Sequence, residues 1–134
     1  MDRTQMESLV IGFYDVRLQN KPQAILNLLA PSAQMRVAGA TNASPIAHQT
    51  TTPEELRASV ESLVGNWQWT NIEMLSLLID GNSAAARYTL QTTHVPTGQK
   101  VTAEMMDQFY FDDAGNITEL IEFVDTAMVA QLDK

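Results

Sequence analysis

The chain has 134 residues, a formal net charge of −8 and no cysteine. The length predicts one domain. Apolar residues make up 45% of the chain and charged residues 18%, which is typical of a globular protein rather than a disordered one. The acidic balance argues against nucleic acid or an anionic membrane as a partner, and the lack of cysteine excludes disulfides and thiolate chemistry. The N-terminal stretch is charged and has no long apolar run, so we expect a cytoplasmic protein without a signal peptide or membrane span.

The first part of the chain is predicted to contain two helices and a strand. Apolar residues recur at helical spacing over residues 4–20, and Pro22 opens a short second helix over residues 22–29. A short strand is predicted at residues 34–39. The polar stretch at residues 40–51 has no periodicity and is long enough to serve as a lid.

A third helix has a clear start signal at residues 52–55, which read TPEE. Thr52 can cap the helix, Pro53 fits its first position, and Glu55 completes a capping box. The apolar pattern predicts that this helix continues to about Val64 and stops at Gly65.

After residue 65 the apolar pattern changes from helical spacing to alternation. Four strands are predicted at residues 67–79, 84–95, 101–112 and 117–124, and turns that contain glycine connect them. The tail is predicted to form a short helix. Helices followed by hairpin-linked strands indicate an α+β fold with an antiparallel sheet.

The last hairpin is predicted to bring two acids together. A tight turn at residues 113–116 places Asp107 opposite Glu122. The other pairs of this register on the same face are Phe109–Leu120, Phe111–Thr118 and Met105–Val124. This face is mostly apolar, so we expect it to line the interior. A carboxyl group in such surroundings is costly unless it is protonated or hydrogen-bonded, which makes both acids candidate functional groups.

The opposite face of this hairpin is mixed in character. It carries Glu104, Met106, Gln108, Tyr110, Glu119, Ile121 and Phe123. Because these residues include several large apolar groups for an exposed surface, we expect this face to pack on a second copy of the chain in a homodimer.

In element order the chain resembles the NTF2-like superfamily, in particular its SnoaL-like and ketosteroid isomerase-like branch. The helix with Phe13 and Tyr14, the segment AILNLL at residues 24–29 and the hairpin MDQFYFDDAGNI at residues 106–117 carry the resemblance. It covers nearly all of a single SnoaL-like domain over residues 1–134. It implies an α+β cone, in which N-terminal helices pack on a curved antiparallel sheet that encloses a pocket. This superfamily includes isomerases, cyclases, dehydratases, epoxide hydrolases and non-catalytic binding modules.

The resemblance also implies roles for individual residues. Tyr14 corresponds to the isomerase tyrosine that donates a hydrogen bond to the substrate's enolate oxygen. Asp107 corresponds to the neutral aspartic acid that donates the second bond, and ketosteroid isomerase is the known case of such an acid kept protonated by an apolar site. The isomerase base corresponds to Val37, which cannot move a proton. Glu122 lies near the position where SnoaL-like cyclases carry an acid, so it is the candidate for the missing base.

A small, largely apolar ligand is expected in the pocket. The residues expected to contact it are Val37, Trp69, Tyr88, Leu90, Met105, Phe109 and Leu120. No metal-ligand cluster, phosphate-binding glycine loop or Ser-His-Asp arrangement is visible in the sequence, so no metal and no cofactor are expected. His48, His94 and Arg36 are weaker candidates, Arg36 as a partner for an anionic group of the ligand.

Two functions of different classes follow. The first is a cofactor-free isomerase, cyclase or dehydratase that acts on a carbonyl or hydroxyl compound by enolate chemistry, with Tyr14 and Asp107 polarising the oxygen and Glu122 moving the proton. The second is a non-catalytic binding or dimerisation module, which valine at the base position favours. A third candidate, an epoxide hydrolase, lacks a clear Asp-Arg-Asp pattern in the sequence.

Overall fold

The computed structural model describes residues 1–40 and 47–132. Within these ranges the elements follow in the order α1 (Arg3–Arg17), α2 (Pro22–Leu26), β1 (Leu29–Val37), α3 (Pro53–Asn66), β2 (Trp67–Asp80), β3 (Ser83–His94), β4 (Gln99–Phe111), β5 (Ile117–Phe123) and α4 (Thr126–Leu132). The strands form one sheet in the order β1-β5-β4-β3-β2, and the α+β prediction is confirmed. No helix in the described ranges has the length and apolar character needed to cross a membrane.

The first strand differs from the prediction in its start and its direction. It begins at Leu29 rather than near residue 34, because α2 ends at Leu26, several residues earlier than predicted. Pro31 lies where the pairing with β5 is irregular, on an edge strand, which is a position that tolerates proline. The pairing of β1 with β5 is parallel, whereas the other three pairings are antiparallel, so the sheet is mixed.

Helix α1 contributes a buried stripe to the core. Met6, Val10, Phe13, Tyr14 and Arg17 recur at helical spacing, and all five are buried. The four apolar and aromatic members pack in one core with the inner residues of the strands. Arg17 is the unusual member, because a cation on a buried stripe needs specific partners.

The predicted start of α3 is confirmed, with one change in its cap. The Thr52 hydroxyl accepts a hydrogen bond of 3.1 Å from the Glu55 backbone N–H. The Glu55 carboxylate accepts hydrogen bonds from the backbone and hydroxyl of Thr51 rather than from the Thr52 backbone. The helix continues through Gly65 to Asn66, and β2 begins at the next residue.

Part of the predicted lid lies outside the described residues, namely positions 41–46. The end of this segment is attached to β1, because the Thr50 hydroxyl accepts a hydrogen bond of 3.0 Å from the Met35 backbone N–H. The Thr50 backbone N–H in turn donates to the Met35 carbonyl at 3.2 Å.

The closing hairpin has the predicted register at its centre, where Asp107 pairs with Glu122 and Phe109 with Leu120. Near the turn the prediction is wrong. A register shift after Tyr110 pairs the next residue of β4 with Ile117 instead of Thr118, as expected of a bulge next to a turn.

Candidate functional site

A row of four residues crosses the sheet at one level. Val37 in β1 pairs with Glu122 in β5, Glu122 pairs with Asp107 in β4, and Asp107 pairs with Ala86 in β3. Directly paired residues on neighbouring strands share a face of the sheet. Glu122 therefore lies between Val37, which the resemblance aligns with the isomerase base, and the buried Asp107.

Asp107 is the centre of a buried hydrogen-bond network. The hydroxyls of Tyr14 and Tyr88 both donate to its Oδ2 atom, each at 2.7 Å. Its Oδ1 atom is buried and has no hydrogen-bond partner. Every other buried side-chain nitrogen or oxygen in the described part of the chain has one. A neutral carboxylic acid fits this pattern, with Oδ2 as the carbonyl that accepts two bonds and Oδ1 carrying the proton.

The electrostatic surroundings favour the neutral form of Asp107. Burial raises its pKa well above the usual range, and the nearby charge of Glu122 adds to the increase. Hydrogen bonds from Tyr14 and Tyr88 and the charge of Arg17 act in the opposite direction but are weaker. Burial and the proximity of Asp107 also raise the pKa values of both tyrosines, so their hydroxyls remain protonated donors.

Glu122 occupies a different environment from Asp107. It is partly exposed and lines a cavity between the helices and the sheet. No hydrogen bond or ion pair within 4.0 Å connects its carboxylate to another residue of the described ranges. Burial raises the pKa of Glu122, and the positive charge of Arg17 partly offsets this increase. Glu122 is thus an acid on the cavity wall that is available to a ligand.

The cavity has a volume of about 90 Å³ and a mostly apolar wall. About 10–15 Å³ of such volume holds one water molecule, so the cavity has room for roughly six to nine waters. All four helices and all five strands of the described ranges contribute to the wall, α2 through Ile25. Among the described lining residues, Arg17 and Glu122 are the two with ionisable side chains.

The structure separates the predicted ligand contacts into two groups. The predicted contacts on the cavity wall are Val37, Trp69, Leu90, Met105 and Leu120. Tyr88 and Phe109 are fully buried and lie outside the described lining, as do Tyr14 and Asp107. Tyr88 is held by its bond to Asp107, and the Phe109 ring packs 5.1 Å from that of Phe13.

Arg17 is a site residue that the sequence analysis missed. Its Nη1 atom donates to Asn20 Oδ1 at 3.0 Å and its Nη2 atom to the Trp67 carbonyl at 2.7 Å. The guanidinium carbon lies 4.3 Å from the centre of the Trp69 ring. Burial lowers its pKa to about 10, and the negative charge of Glu122 opposes the decrease. The available signal was its spacing, because Arg17 continues the helical stripe of apolar residues in α1.

The weaker candidates are not among the described residues that line the cavity. His94 is buried, with Nδ1 2.9 Å from the Thr97 hydroxyl and its ring 4.5 Å from that of Trp67. His48 is exposed, and Arg36 is partly exposed. Within residues 1–40 and 47–132 no group of three His, Cys, Asp or Glu side chains could hold a metal ion.

Comparison with known proteins supports the fold. The chain is similar to SalBIII, an epoxide hydrolase/cyclase-like enzyme with a role in pyran ring formation in the polyether salinomycin. The two share 19% sequence identity with a TM-score of 0.77, and the match covers 94% of this chain and 95% of that chain. It is similar to BvnE pinacolase from Penicillium brevicompactum, with 14% identity, a TM-score of 0.78 and coverage of 98% and 93%. An NTF2-like protein from Burkholderia pseudomallei gives 16% identity, a TM-score of 0.77 and coverage of 98% of both chains.

Structural similarity at such low identity shows the fold alone, and the named activities belong to those proteins. No curated protein matches the chain by sequence. The family evidence comes from the SnoaL-like domain model, which matches residues 10–120 and so spans most of the chain. With the mixed five-stranded sheet and the helices around the cavity, this match shows that the chain belongs to the SnoaL-like domain family and has the NTF2-like fold.

Proposed function

We propose that this protein is a cofactor-free isomerase, cyclase or dehydratase that acts on a small, largely apolar carbonyl or hydroxyl compound by enolate chemistry. One observation carries the proposal: Glu122 presents a carboxylate without a hydrogen-bond partner in the described ranges, on the wall of a mostly apolar cavity. Membership of the SnoaL-like family and the cyclase-type structural neighbours are consistent with this class of reaction.

Glu122 is proposed to move the proton. Burial raises its pKa from the usual carboxylate range, which makes its ionised form a stronger base than an exposed glutamate. It can take a proton from the carbon next to a carbonyl group and return it to another carbon, which is an isomerisation. The same enolate can instead expel a hydroxyl group or attack a second carbonyl, which gives dehydration or cyclisation.

Asp107 is proposed to polarise the ligand's oxygen. In its neutral form, the proton on Oδ1 has no acceptor in the protein and is available to an oxygen that gains negative charge. Tyr14 already donates to Asp107 Oδ2, so we propose that Tyr14 acts on the ligand through Asp107. Because Asp107 is fully buried, the proposal requires the wall between it and the cavity to open for the ligand's oxygen.

The two acids then divide the work. Asp107 is surrounded by protein and keeps its proton, whereas Glu122 faces the cavity near the positive charge of Arg17 and ionises more easily. Two neighbouring carboxyl groups with different environments are the arrangement from which acid and base roles arise.

Deuterium exchange tests the proton transfer without knowledge of the natural substrate. Cyclohexanone and acetophenone would be incubated in D₂O, and NMR would follow exchange of the protons next to the carbonyl. We expect the protein to accelerate exchange and Glu122→Gln to reduce the acceleration by about 100-fold or more, the usual effect of a general base. Glu119→Gln, on the outer face of the sheet, is the matched control. Exchange at the buffer rate by protein that binds the ketone would contradict the proposal.

A phenol titration tests the oxygen site. Phenols mimic an enolate oxygen, and Trp67 and Trp69 on the cavity wall provide the fluorescence signal. We expect both Tyr14→Phe and Asp107→Leu to weaken phenol binding by about tenfold, since each removes part of the charge-assisted network. Equal affinity in the wild type and both variants would rule out the proposed role of Asp107.

A non-catalytic binding module is the second candidate. It is favoured by the position of Tyr14 and Asp107, which bond to one another and lie outside the described cavity lining, and by valine at the position of the isomerase base. Tight phenol or ketone binding without any deuterium exchange would favour this function. A cytoplasmic location remains a prediction of the sequence, which fractionation of expressing cells would test.

A further inference from the structure

The cavity contains a buried cation that lacks a close anionic partner. Arg17 is 5% exposed and lines the cavity. Arg17 forms no ion pair within 4.0 Å in the described part of the chain. Its bonds are to neutral groups, Asn20 and the Trp67 carbonyl, and its charge is otherwise balanced by Glu122 at longer range. A desolvated cation in this situation gains from an anion placed beside it.

The guanidinium group is already held in one orientation. Two of its nitrogens are fixed by hydrogen bonds, and its central carbon lies over the Trp69 ring, 4.3 Å from the ring centre. Its side-chain entropy and its hydration have therefore been lost on folding, before any ligand arrives. A ligand oxygen that reaches the guanidinium from the cavity gains a charge-assisted hydrogen bond without that additional cost.

The charges of Arg17 and Glu122 are linked to the proposed proton transfer. When Glu122 takes a proton from a carbonyl compound, the acid becomes neutral and the ligand becomes an anion. The cavity then contains one cation, Arg17, and one anion, the enolate. The negative charge has moved from the protein to the ligand, and the cavity keeps the same total charge, so Arg17 can stabilise the product of this step.

We propose that Arg17 binds the anionic oxygen of the ligand and makes the cavity selective for small apolar monoanions. This inference rests on the proposed function in one respect, since the enolate formed in the proposed reaction is the monoanion that Arg17 would bind during turnover. Stable carboxylates of similar size form the same pair with Arg17, and their binding does not depend on any reaction.

Proton uptake by Glu122 should accompany this binding. The ionisable groups that act electrostatically with Glu122 are Arg17 from α1, Asp107 from β4, and the two tyrosines Tyr14 and Tyr88. An anion beside Arg17 cancels the positive charge that favours ionised Glu122 and repels its carboxylate. Bound anion therefore favours neutral Glu122, and the affinity for an anion falls as the pH rises.

The test compares phenylacetate with phenylacetamide, which have nearly the same shape and differ in charge. Binding would be followed by the fluorescence of Trp67 and Trp69 between pH 6 and pH 8, where phenylacetate stays ionised. We expect phenylacetate to bind at least about tenfold more tightly than phenylacetamide at pH 6, the effect of one charge-assisted hydrogen bond. Its affinity should fall toward pH 8, whereas that of the amide should not change.

Variants at the two charged positions identify the groups responsible. Arg17→Met should bind phenylacetate no more tightly than phenylacetamide, and Arg17→Lys should keep part of the preference because it keeps the charge. Glu122→Gln should bind phenylacetate more tightly than the wild type, with no dependence on pH over this range. If Arg17→Met does not fold, as judged by circular dichroism, the Glu122→Gln and Arg17→Lys proteins still test the inference.

Two outcomes would overturn it: equal affinity of the wild type for the two ligands, or a preference for phenylacetate that survives unchanged in Arg17→Met. These outcomes are distinct from failure of the proposed function. A protein that prefers phenylacetate through Arg17 but exchanges no ketone protons is an anion-binding module. A protein that exchanges ketone protons without preferring phenylacetate is an enzyme in which Arg17 does not hold the oxygen.

Discussion

Asp107 lies fully buried between two tyrosine hydroxyls, and its contribution to stability depends on its proton. In the neutral state Oδ2 accepts both tyrosine hydrogen bonds, and no charge is removed from water. In the ionised state the carboxylate has two donors but lies in an apolar interior opposite a second acid, Glu122. Burial is the largest cause of its raised pKa, so the neutral state is the stable one.

A dependence of stability on pH follows from this raised pKa. The native state binds the Asp107 proton more tightly than the unfolded chain, so the free energy of unfolding is highest below the ordinary aspartate pKa of about 4 and falls as the pH rises. The fall is up to about 1.4 kcal/mol per pH unit until the native carboxyl ionises. Asp107→Asn should remove the contribution of Asp107 to this decrease in the free energy of unfolding. Urea unfolding between pH 5 and pH 8 measures it.

The control for this prediction is Asp15→Asn, which changes an exposed acid on α1. Glu122 also has a raised pKa and contributes a fall of the same sign in the wild type and in both variants. The prediction fails if the stabilities of the Asp107→Asn and Asp15→Asn proteins depend equally steeply on pH. In that case the native Asp107 does not hold its proton.

At the scale of the element, α3 connects a local signal in the sequence to the cavity. Val60, Leu63 and Val64 of this helix form part of the cavity wall. The helix has 14 residues, a length at which an isolated helix is marginal in water, so its stability depends on packing and on its cap. The Thr52 hydroxyl satisfies the backbone N–H of Glu55 in the first turn, which would otherwise lack a partner within the helix.

Removal of this cap should cost a predictable amount of stability. Thr52→Ala is expected to lower the free energy of unfolding by about 1 kcal/mol, because the first turn loses a side-chain acceptor. Thr52→Ser keeps the hydroxyl and should change it by a few tenths of a kcal/mol at most. Urea unfolding at one pH measures both variants, and equal stabilities for the alanine and serine proteins would show that the cap does not stabilise α3.

At the scale of the whole molecule, the outer face of the sheet presents large apolar side chains. Leu78 is 66% exposed, Phe123 46% and Tyr110 37%. These residues lie on the face opposite the core in β2, β5 and β4, interspersed with polar side chains. A surface with this mixture is typical of an interface between subunits, and the homodimer predicted from the sequence remains our proposal.

Light scattering coupled to size-exclusion chromatography tests the dimer. We expect the wild type to have twice the mass of one chain at micromolar concentration, and Phe123→Lys to shift the equilibrium toward the monomer, because a charge at an apolar interface loses its hydration. Ile11→Lys is the matched control, since Ile11 is 53% exposed on α1, away from the sheet. A monomeric wild type, or the same mass for both lysine variants, would contradict a dimer through this face.

The sequence by itself determined the types of the elements and the central register of the closing hairpin. The change from helical spacing to alternation after residue 65 is a local property, because a buried helix face and a buried strand face repeat with different periods. The position of Asp107 opposite Glu122 follows from a short turn, in which Gly115 adopts a φ of 88° that glycine readily accepts. Tyr14 and Asp107 could be assigned to one site only through the family resemblance, and the hydrogen bond between them is a finding of the structure.

The tertiary structure alone decided how distant segments meet. The parallel pairing of β1 with β5 joins segments that no single turn connects, so no local rule sets its direction. The same holds for Tyr88, whose bond to Asp107 depends on the pairing of β3 with β4, and for Arg17, which reaches the cavity only because α1 packs across the sheet. Turn geometry and periodicity act over a few residues, whereas these contacts depend on the packing of the whole chain.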